Sequence, residues 1–478
     1  MAPSAFLLSE VAFTLVLVSL VGVVFYNLFF HPLRRYPGPK LWAISNIPWN
    51  YYNLRLCLPF KIHELHQRYG PVVRIGPNQL SYNSGAAWKE IYFGTGTHEY
   101  LKDLHRGFGI PQDPNPKEWP MTVSDTPRHR RIRRALLPAF SERALRDQSP
   151  LLNSYLDILI LRLRERAGKA PEDIITWVNR FTVDALGHFC FGQSFNALQD
   201  SKTPDLVNVL IDSVAYIPVS QFAQQYRLQR LLAVFTPAGA VNTMEAFNQH
   251  ATEQVTRVVE QMKSGVASSG LFFSYVMEDK EAKSKISHEE TTTSAISGSL
   301  YYLCMNPSTY KKAAEEIRST FSSEDQMTNE AVAALPYTNA VLKETFRIYV
   351  PTPGTIPRVT PAEGAQILGQ YVPGKTLIGV APYSCTRSPA NFHNPDQFVP
   401  ERWLASQLGS PEYEPYLNDN LEASQPFSYG PRSCLGKPLL WNFDFEIAPE
   451  SKDWMKAHRP TVAWVKPQLM LNITPVPR

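Results

Sequence analysis

The stretch Phe427-Ser-Tyr-Gly430-Pro-Arg432-Ser-Cys434-Leu-Gly436 constrains this chain more than any other, because it fixes one cysteine between two glycines. Glycines four residues before and two residues after the cysteine permit backbone conformations closed to other residues and a close approach to a flat ligand. A thiolate is the soft anionic ligand that suits iron. A cysteine in a turn is ordinarily a small buried hydrophobe; Phe, Gly, Arg, Cys and Gly together at this spacing argue for a liganding loop instead. Such a loop needs an interior able to enclose a cofactor. With 478 residues, 44% of them hydrophobic, the chain is long enough to build one, as one large domain or two to three ordinary ones.

The other four cysteines, Cys57, Cys190, Cys304 and Cys385, are scattered and form no CxxC spacing. That argues against a disulfide framework or zinc site and suits a reducing compartment. A net charge of +4 is weak for this length and argues against a nucleic-acid partner.

Val11 to Phe30 carries no charged residue and is long enough to cross the hydrocarbon core as a helix. It is longer than a signal-peptide apolar region, lacks a basic segment before it and has no small-x-small cleavage site. Arg34, Arg35 and Lys40 follow it while Glu10 precedes it, so the positive-inside rule leaves the body of the protein in the cytosol. The reading is a membrane anchor over 1–33 and a globular domain over 34–478. Tyr36-Pro37-Gly38-Pro39 cannot continue a helix and reads as a stiff hinge between them.

Beyond it, Phe60 to Tyr69 reads as an amphipathic helix feeding a hairpin of Val72–Ile75 and Gln79–Tyr82. Thr126 to Leu137 is the most basic segment. A solvated helix face or a nucleic-acid stripe is the default for such a run, yet His129 and Arg133 fall one turn apart on one face, a geometry that can hold the paired carboxylates of a ligand. Ser149-Pro150 reads as an N-cap and first helical position ahead of Leu152, Tyr155, Leu156, Leu159 and Leu163. Helical patterning continues to about residue 350. Leu206 to Phe235 is apolar and poorly capped, fit either to line a lipophilic cavity or to fill core. Nearly half of the 40 prolines lie from Pro351 onward, marking turns, short strands and loops. Trp441 to Glu446 alternates as a strand.

Two further motifs precede the cysteine loop. Glu344-Thr-Phe-Arg347 places an acid and a base on one helix face, and Pro400-Glu-Arg402-Trp403 supplies a second arginine from a loop. Alone, an ExxR pair is most often a surface ion pair of small value. In this order, behind an apolar span and a proline-glycine stretch, the set resembles the cytochrome P450 family, and more narrowly its fungal microsomal members.

That resemblance implies a mainly α fold with a small β-rich part, enclosing haem b between a long central helix and the cysteine loop. Cys434 would be the axial thiolate on the iron, with Gly430 and Gly436 flanking it and Phe427 covering the cofactor beside the sulfur. Arg432, His129, Arg133 and Arg358 match propionate-binding positions, and Glu344, Arg347 and Arg402 match a buried structural triad. The implied activity is monooxygenation of a lipophilic small molecule, plausible in secondary metabolism. Electrons would come from NADPH through a separate NADPH–cytochrome reductase, since the chain has no Gly-rich dinucleotide motif after a strand. The implied location is the endoplasmic reticulum membrane, single-pass, with a cytosolic catalytic domain.

The chain departs from the family pattern in two places. The family's central helix carries an acid and an alcohol that deliver protons during oxygen activation; Glu290 and Thr291 match them. His288 and Glu289 stand where small residues are expected, and the upstream turns are missing. Ser287-x-x-Glu290 also forms a capping box, which would put Thr291 in a first turn. After Gly436, Lys437-Pro438-Leu439-Leu440 passes directly toward the strand at Trp441, leaving no room for the helix that follows the loop in relatives. Two explanations stay open: whole segments lost from the coding sequence as written, or a degenerate haem-binding protein unable to activate oxygen. A haem-thiolate isomerase or dehydratase, which needs no proton delivery to dioxygen, is the intermediate alternative.

Overall fold

The apolar N-terminal stretch forms a helix, α1 (Pro3–Phe25), prolonged by a π-helical turn over Tyr26–Phe30. Its side chains point outward, Phe13 at 70% and Phe30 at 64% exposure. Ser9–Phe30 is long and apolar enough to cross a membrane, and a helix satisfies its own backbone groups as hydrocarbon demands. The computed structural model describes residues 3–93, 100–103, 126–204, 214–228, 290–323, 326–428 and 443–476, with isolated positions between 205 and 264.

The stretch after the span is docked rather than hinged. Leu33 and Tyr36 are buried in the core around the main sheet, and the Tyr36 hydroxyl donates to the Tyr371 carbonyl at 3.0 Å. Arg74 N–H donates to the Pro37 carbonyl at 2.7 Å. A Cβ on Gly38 would run into the Arg74 carbonyl oxygen, so only glycine allows this approach. The prolines do block a helix, but the extended backbone they leave is free to bond to the sheet. The end of the span is tied down too, since Asn27 accepts from the Arg74 guanidinium and donates to the Ile44 carbonyl.

Two short helices, α2 (Lys40–Ile44) and α3 (Ile47–Leu54), lead to α4 (Leu58–Tyr69), which starts earlier than periodicity suggests because Pro59 suits its first turn. The hairpin of β1 (Val72–Gly76) and β2 (Gln79–Tyr82) forms as read, and α5 (Gly85–Tyr92) follows. With β3 (Leu101–Lys102), β5 (Arg358–Val359) and β8 (Leu377–Val380), the hairpin makes a five-stranded sheet in the order β1-β2-β8-β5-β3. Its pairing is antiparallel except between β2 and β8. A small hairpin, β6 (Ala365–Ile367) and β7 (Gln370–Val372), stands beside it.

The basic segment forms α6 (Thr126–Leu136). The next helix, α7, runs from Glu142 to Arg166 with Pro150 in its interior, which corrects the start expected at Ser149. Ser141 is the cap, its hydroxyl accepting from Ala144 N–H at 3.2 Å, and the helix runs on through the proline, on a solvent-facing position. Then come β4 (Glu172–Asp173), α8 (Ile174–Phe191) and α9 (Ile217–Gln225). Most of 206–235 otherwise lies outside the described residues.

After α10 (Glu290–Met305) and α11 (Pro307–Thr320) come the short α12 (Asn329–Ala333) and then α13 (Pro336–Ile348). The proline-rich remainder holds short strands and turns, as expected. The strand read at Trp441–Glu446 appears as β9 (Phe443–Ile447). It pairs antiparallel with β12 (Met470–Pro475), which pairs with β4, while β10 (Arg459–Pro460) and β11 (Trp464–Val465) form a hairpin. The largest core lies where α7, α8, α10 and α13 meet the β4-β12-β9 sheet, around Trp177, Tyr349, Trp454 and Trp464.

Candidate functional site

Helix α13 is placed by its neighbour. The Glu316 carboxylate of α11 accepts from Tyr337 and Thr338 N–H at 2.8 and 2.7 Å and from the Thr338 hydroxyl at 2.6 Å, capping the first turn of α13. Three helical positions apart on the inner face stand Glu344 and Arg347, both solvent-free. Arg347 donates to the two Glu344 oxygens at 2.9 and 2.8 Å in the bidentate fork. Its remaining N–H groups reach the carbonyls of Thr386, Pro395 and Gln397 at 2.9, 2.6 and 2.9 Å.

The 3-10 turn Pro400–Trp403 brings in Arg402, which donates to Glu344 Oε1 at 3.1 Å, and Trp403, whose indole N–H donates to Oε2 at 3.0 Å. Val399 N–H supplies another bond at 2.9 Å. Arg402 also pairs with Asp419, whose other oxygen accepts from His393 N–H at 2.6 Å. Two carboxylates and two guanidiniums thus balance, the condition for burying charge. Burial works to raise the Glu344 pKa, but the guanidiniums of Arg347 and Arg402 and the Val399 N–H more than reverse this and hold it below the ordinary carboxylate range.

This cluster fixes the irregular segment leading to the cysteine loop. Asn420 N–H donates to the Asn391 carbonyl at 2.7 Å, and the Trp88 indole donates to the Ala423 carbonyl at 3.2 Å. Phe427 then stands edge-on to Phe346 of α13, ring centroids 5.2 Å apart. One helix therefore carries both the charged cluster and the seat of the loop's first residue. Gly430, Arg432, Cys434 and Gly436 lie outside the described residues.

On the helix Glu290–Met305, Thr293, Ser294 and Ser297 are solvent-free. Thr293 meets the Thr182 hydroxyl at 3.4 Å, and Lys466 donates to Ser294 at 3.0 Å. Glu290 and Thr291 occupy the first described turn; their side chains lie outside the described set. His129 of α6 is 3% exposed and Arg133 is half-buried, whereas Arg130, Arg131 and Arg134 face solvent. Arg358, also 3% exposed, lies over the Tyr92 ring at 4.9 Å.

The family model for cytochrome P450 matches residues 36–473, so all these features fall within one match. The chain belongs to the cytochrome P450 family. Similar proteins include an averantin hydroxylase of Dothistroma septosporum, 35% identical over 95% of this chain and 88% of the relative. A trichothecene C-4 hydroxylase of Trichoderma arundinaceum is 32% identical, covering 97% and 96% of the two chains. The cytochrome P450 monooxygenase atr2 of Stereocaulon alpinum is 34% identical over 513 aligned positions, covering 99% and 98%. Those 513 positions exceed the 478 residues of this chain, so at least 35 positions of that relative have no counterpart here.

Cytochromes P450 bind haem through a cysteine thiolate, and membership implies a redox partner and lipophilic substrates. The residues present fit that group. Haem carries two carboxylates, which call for withdrawn N–H donors; His129, Arg133 and Arg358 are of that chemistry, the first and last buried and Arg133 half-buried. Sequence motifs pointed to Glu344, Arg347 and Arg402 but missed Asp419, Glu316 and the three carbonyls under Arg347. Trp403 stood legible beside Arg402; Asp419 carries no local signal, because only the tertiary fold brings it to the guanidinium.

Proposed function

We propose that this P450 is a membrane-anchored haem-thiolate monooxygenase acting on a lipophilic small molecule of secondary metabolism. The supporting observation is the match across residues 36–473, shared with relatives named as hydroxylases and monooxygenases. Electrons come from NADPH through a separate NADPH–cytochrome reductase, and the Ser9–Phe30 helix holds the chain at the endoplasmic reticulum membrane with its domain in the cytosol.

Haem, when bound, supplies the oxidative chemistry. Cys434 would hold its iron, Phe427 would shield the thiolate, and Gly430 and Gly436 would let the backbone come close. Arg432, His129, Arg133 and Arg358 hold its carboxylates. Glu344, Arg347 and Arg402 touch no reacting atom in this scheme; they lock the segment that presents the loop. Glu290 and Thr291 hold and pass protons at the start of α10. The positions that relatives carry and this chain lacks are assigned to the turns before Glu290 and to the helix after Gly436.

The test is the reduced, carbon-monoxide difference spectrum of the chain, with and without Cys434→Ala. A thiolate-type Soret band that disappears in the variant is expected. No bound haem in the wild-type chain would sink the proposal, and so would NADPH oxidation with reductase that never yields an oxygenated product across a lipophilic panel.

A further inference from the structure

Deep in the largest core, a phenol is aimed at a neutral base. Tyr349, which caps the C-terminus of α13, and His458, just before β10, are both wholly out of solvent. The Tyr349 hydroxyl meets His458 Nε2 at 2.9 Å. The other ring nitrogen sets the tautomer. His458 Nδ1 stands 2.9 Å from the Trp454 carbonyl oxygen; a carbonyl only accepts, so Nδ1 carries the proton and Nε2 accepts from the phenol. Burial keeps the ring neutral by pushing its pKa down to about 4. The separation lies within the reach of about 2.6–3.2 Å that proton transfer to a base requires.

The pair sits in a run of aromatic rings. Tyr349 is stacked on Trp464, centroids 5.1 Å apart, and Trp454 stands 5.6 Å away. From Trp454 the run continues to Tyr301 at 5.0 Å and on to Tyr302 at 5.2 Å; from Trp464 it reaches Tyr383 at 6.2 Å. Tyr302 and Tyr383 are half-buried, so both ends touch solvent. These are the separations of aromatic rings in contact, and rings in contact pass an electron from one π system to the next. Tyr349 also lies three residues beyond Phe346, the seat of Phe427, one helical turn from the segment assigned to the cofactor. An oxidised phenol is a strong acid, so a buried tyrosine gives up an electron readily only where a base takes its proton.

We infer that Tyr349 is an internal one-electron donor to a haem oxidised beyond the ferric state, with His458 as the base that takes its proton. One electron leaves the Tyr349 ring for the oxidant, the phenol O–H bond breaks, and an N–H bond forms at His458 Nε2. A neutral tyrosyl radical then faces an imidazolium, and the proton has moved only along the existing hydrogen bond. Haem as the oxidant rests on the monooxygenase reading; the proton-coupled pair does not.

The test is electron paramagnetic and electron–nuclear double resonance of the full chain in lipid nanodiscs, its histidines isotopically labelled at the ring nitrogens. Samples are frozen after flash oxidation by photogenerated tris(bipyridine)ruthenium(III), which needs no haem. A tyrosyl radical coupled to a histidine nitrogen is expected, and Tyr349→Phe, which keeps the ring, should lose it. In His458→Gln the amide oxygen still accepts from the phenol but is a poor base, so the radical yield should fall to that of Tyr349→Phe. Tyr155 also meets a histidine, His188 Nδ1 at 2.9 Å, so the coupled signal must survive Tyr155→Phe. A radical without nitrogen coupling, a coupling that survives Tyr349→Phe or vanishes in Tyr155→Phe, or a full yield in His458→Gln overturns the inference. Should a core variant fail to fold, the wild-type and Tyr155→Phe spectra decide alone. Peroxide added to the haem-loaded chain should raise the same coupled radical; a ruthenium signal with no peroxide signal overturns donation to haem. A chain that binds no haem yet gives the ruthenium signal loses the monooxygenase reading and keeps the pair.

Discussion

Replacing Glu344 by glutamine tests whether the buried cluster holds the fold through charge or merely through packing. The carboxylate accepts five hydrogen bonds: two from Arg347 and one each from Arg402, Val399 and Trp403. Glutamine keeps the shape but turns one acceptor into a donor facing other donors, and it leaves two guanidiniums with Asp419 alone. Removing one partner from a buried pair costs about 3–5 kcal/mol. With an unfolding entropy of about 2.1 cal/mol/K per residue, that is a fall of about 3–5 °C in Tm for a domain of this size. Because the folded pKa of Glu344 is lowered, its contribution is present above the unfolded carboxylate value, about 4.3, and is lost as pH falls through the lower folded value. Glu344→Gln and wild type should therefore differ at neutral pH and converge only in strong acid. Thermal unfolding by circular dichroism from pH 3 to 8 measures this, and Arg402→Met combined with Glu344→Gln should cost clearly less than the two singles together. A Tm within about 1 °C of wild type at pH 7, or strict additivity in the double variant, would refute the charge argument.

Gly38→Ala should destabilise by about 1–3 kcal/mol, because its Cβ meets backbone that cannot step aside, and denaturant titration reads this directly. Pro150→Ala should stabilise by about 1–2 kcal/mol, since alanine gives α7 the N–H that proline lacks; an unchanged unfolding midpoint would count against the account of that helix. Burial pushes the His458 pKa down to about 4, and its ring stays neutral against Tyr349. That contribution is whole above the unfolded value, about 6.5, and is lost as pH falls to the folded one, at up to about 1.4 kcal/mol per pH unit. His66 shares the shift to about 4 and His31, His63 and His188 are lowered too, so His458→Gln should remove at most about half of the imidazole part of the slope of stability against pH between those limits, and an unaltered slope would argue against it.

Local chemistry made part of this protein readable in one dimension. An uncharged apolar run can satisfy its backbone only as a helix, and α1 follows. The ExxR pair was legible because a helix turn sets its own spacing, and Glu344 and Arg347 meet within α13. Family motifs named the cytochrome P450 family, because their order and spacing are carried in sequence alone. Proline-glycine composition at Tyr36–Pro39 was legible as non-helical, but whether such a strap swings or docks depends on the Arg74 backbone beside it. Ser149-Pro150 had the chemistry of a helix start; the longer α7 prevailed because Ser141 caps it and its inner face is held by α8 and the core. Asp419 and the Glu316 cap were beyond reach of sequence patterns. Their meaning lies in partners far along the chain, and only folding brings those partners within hydrogen-bond distance.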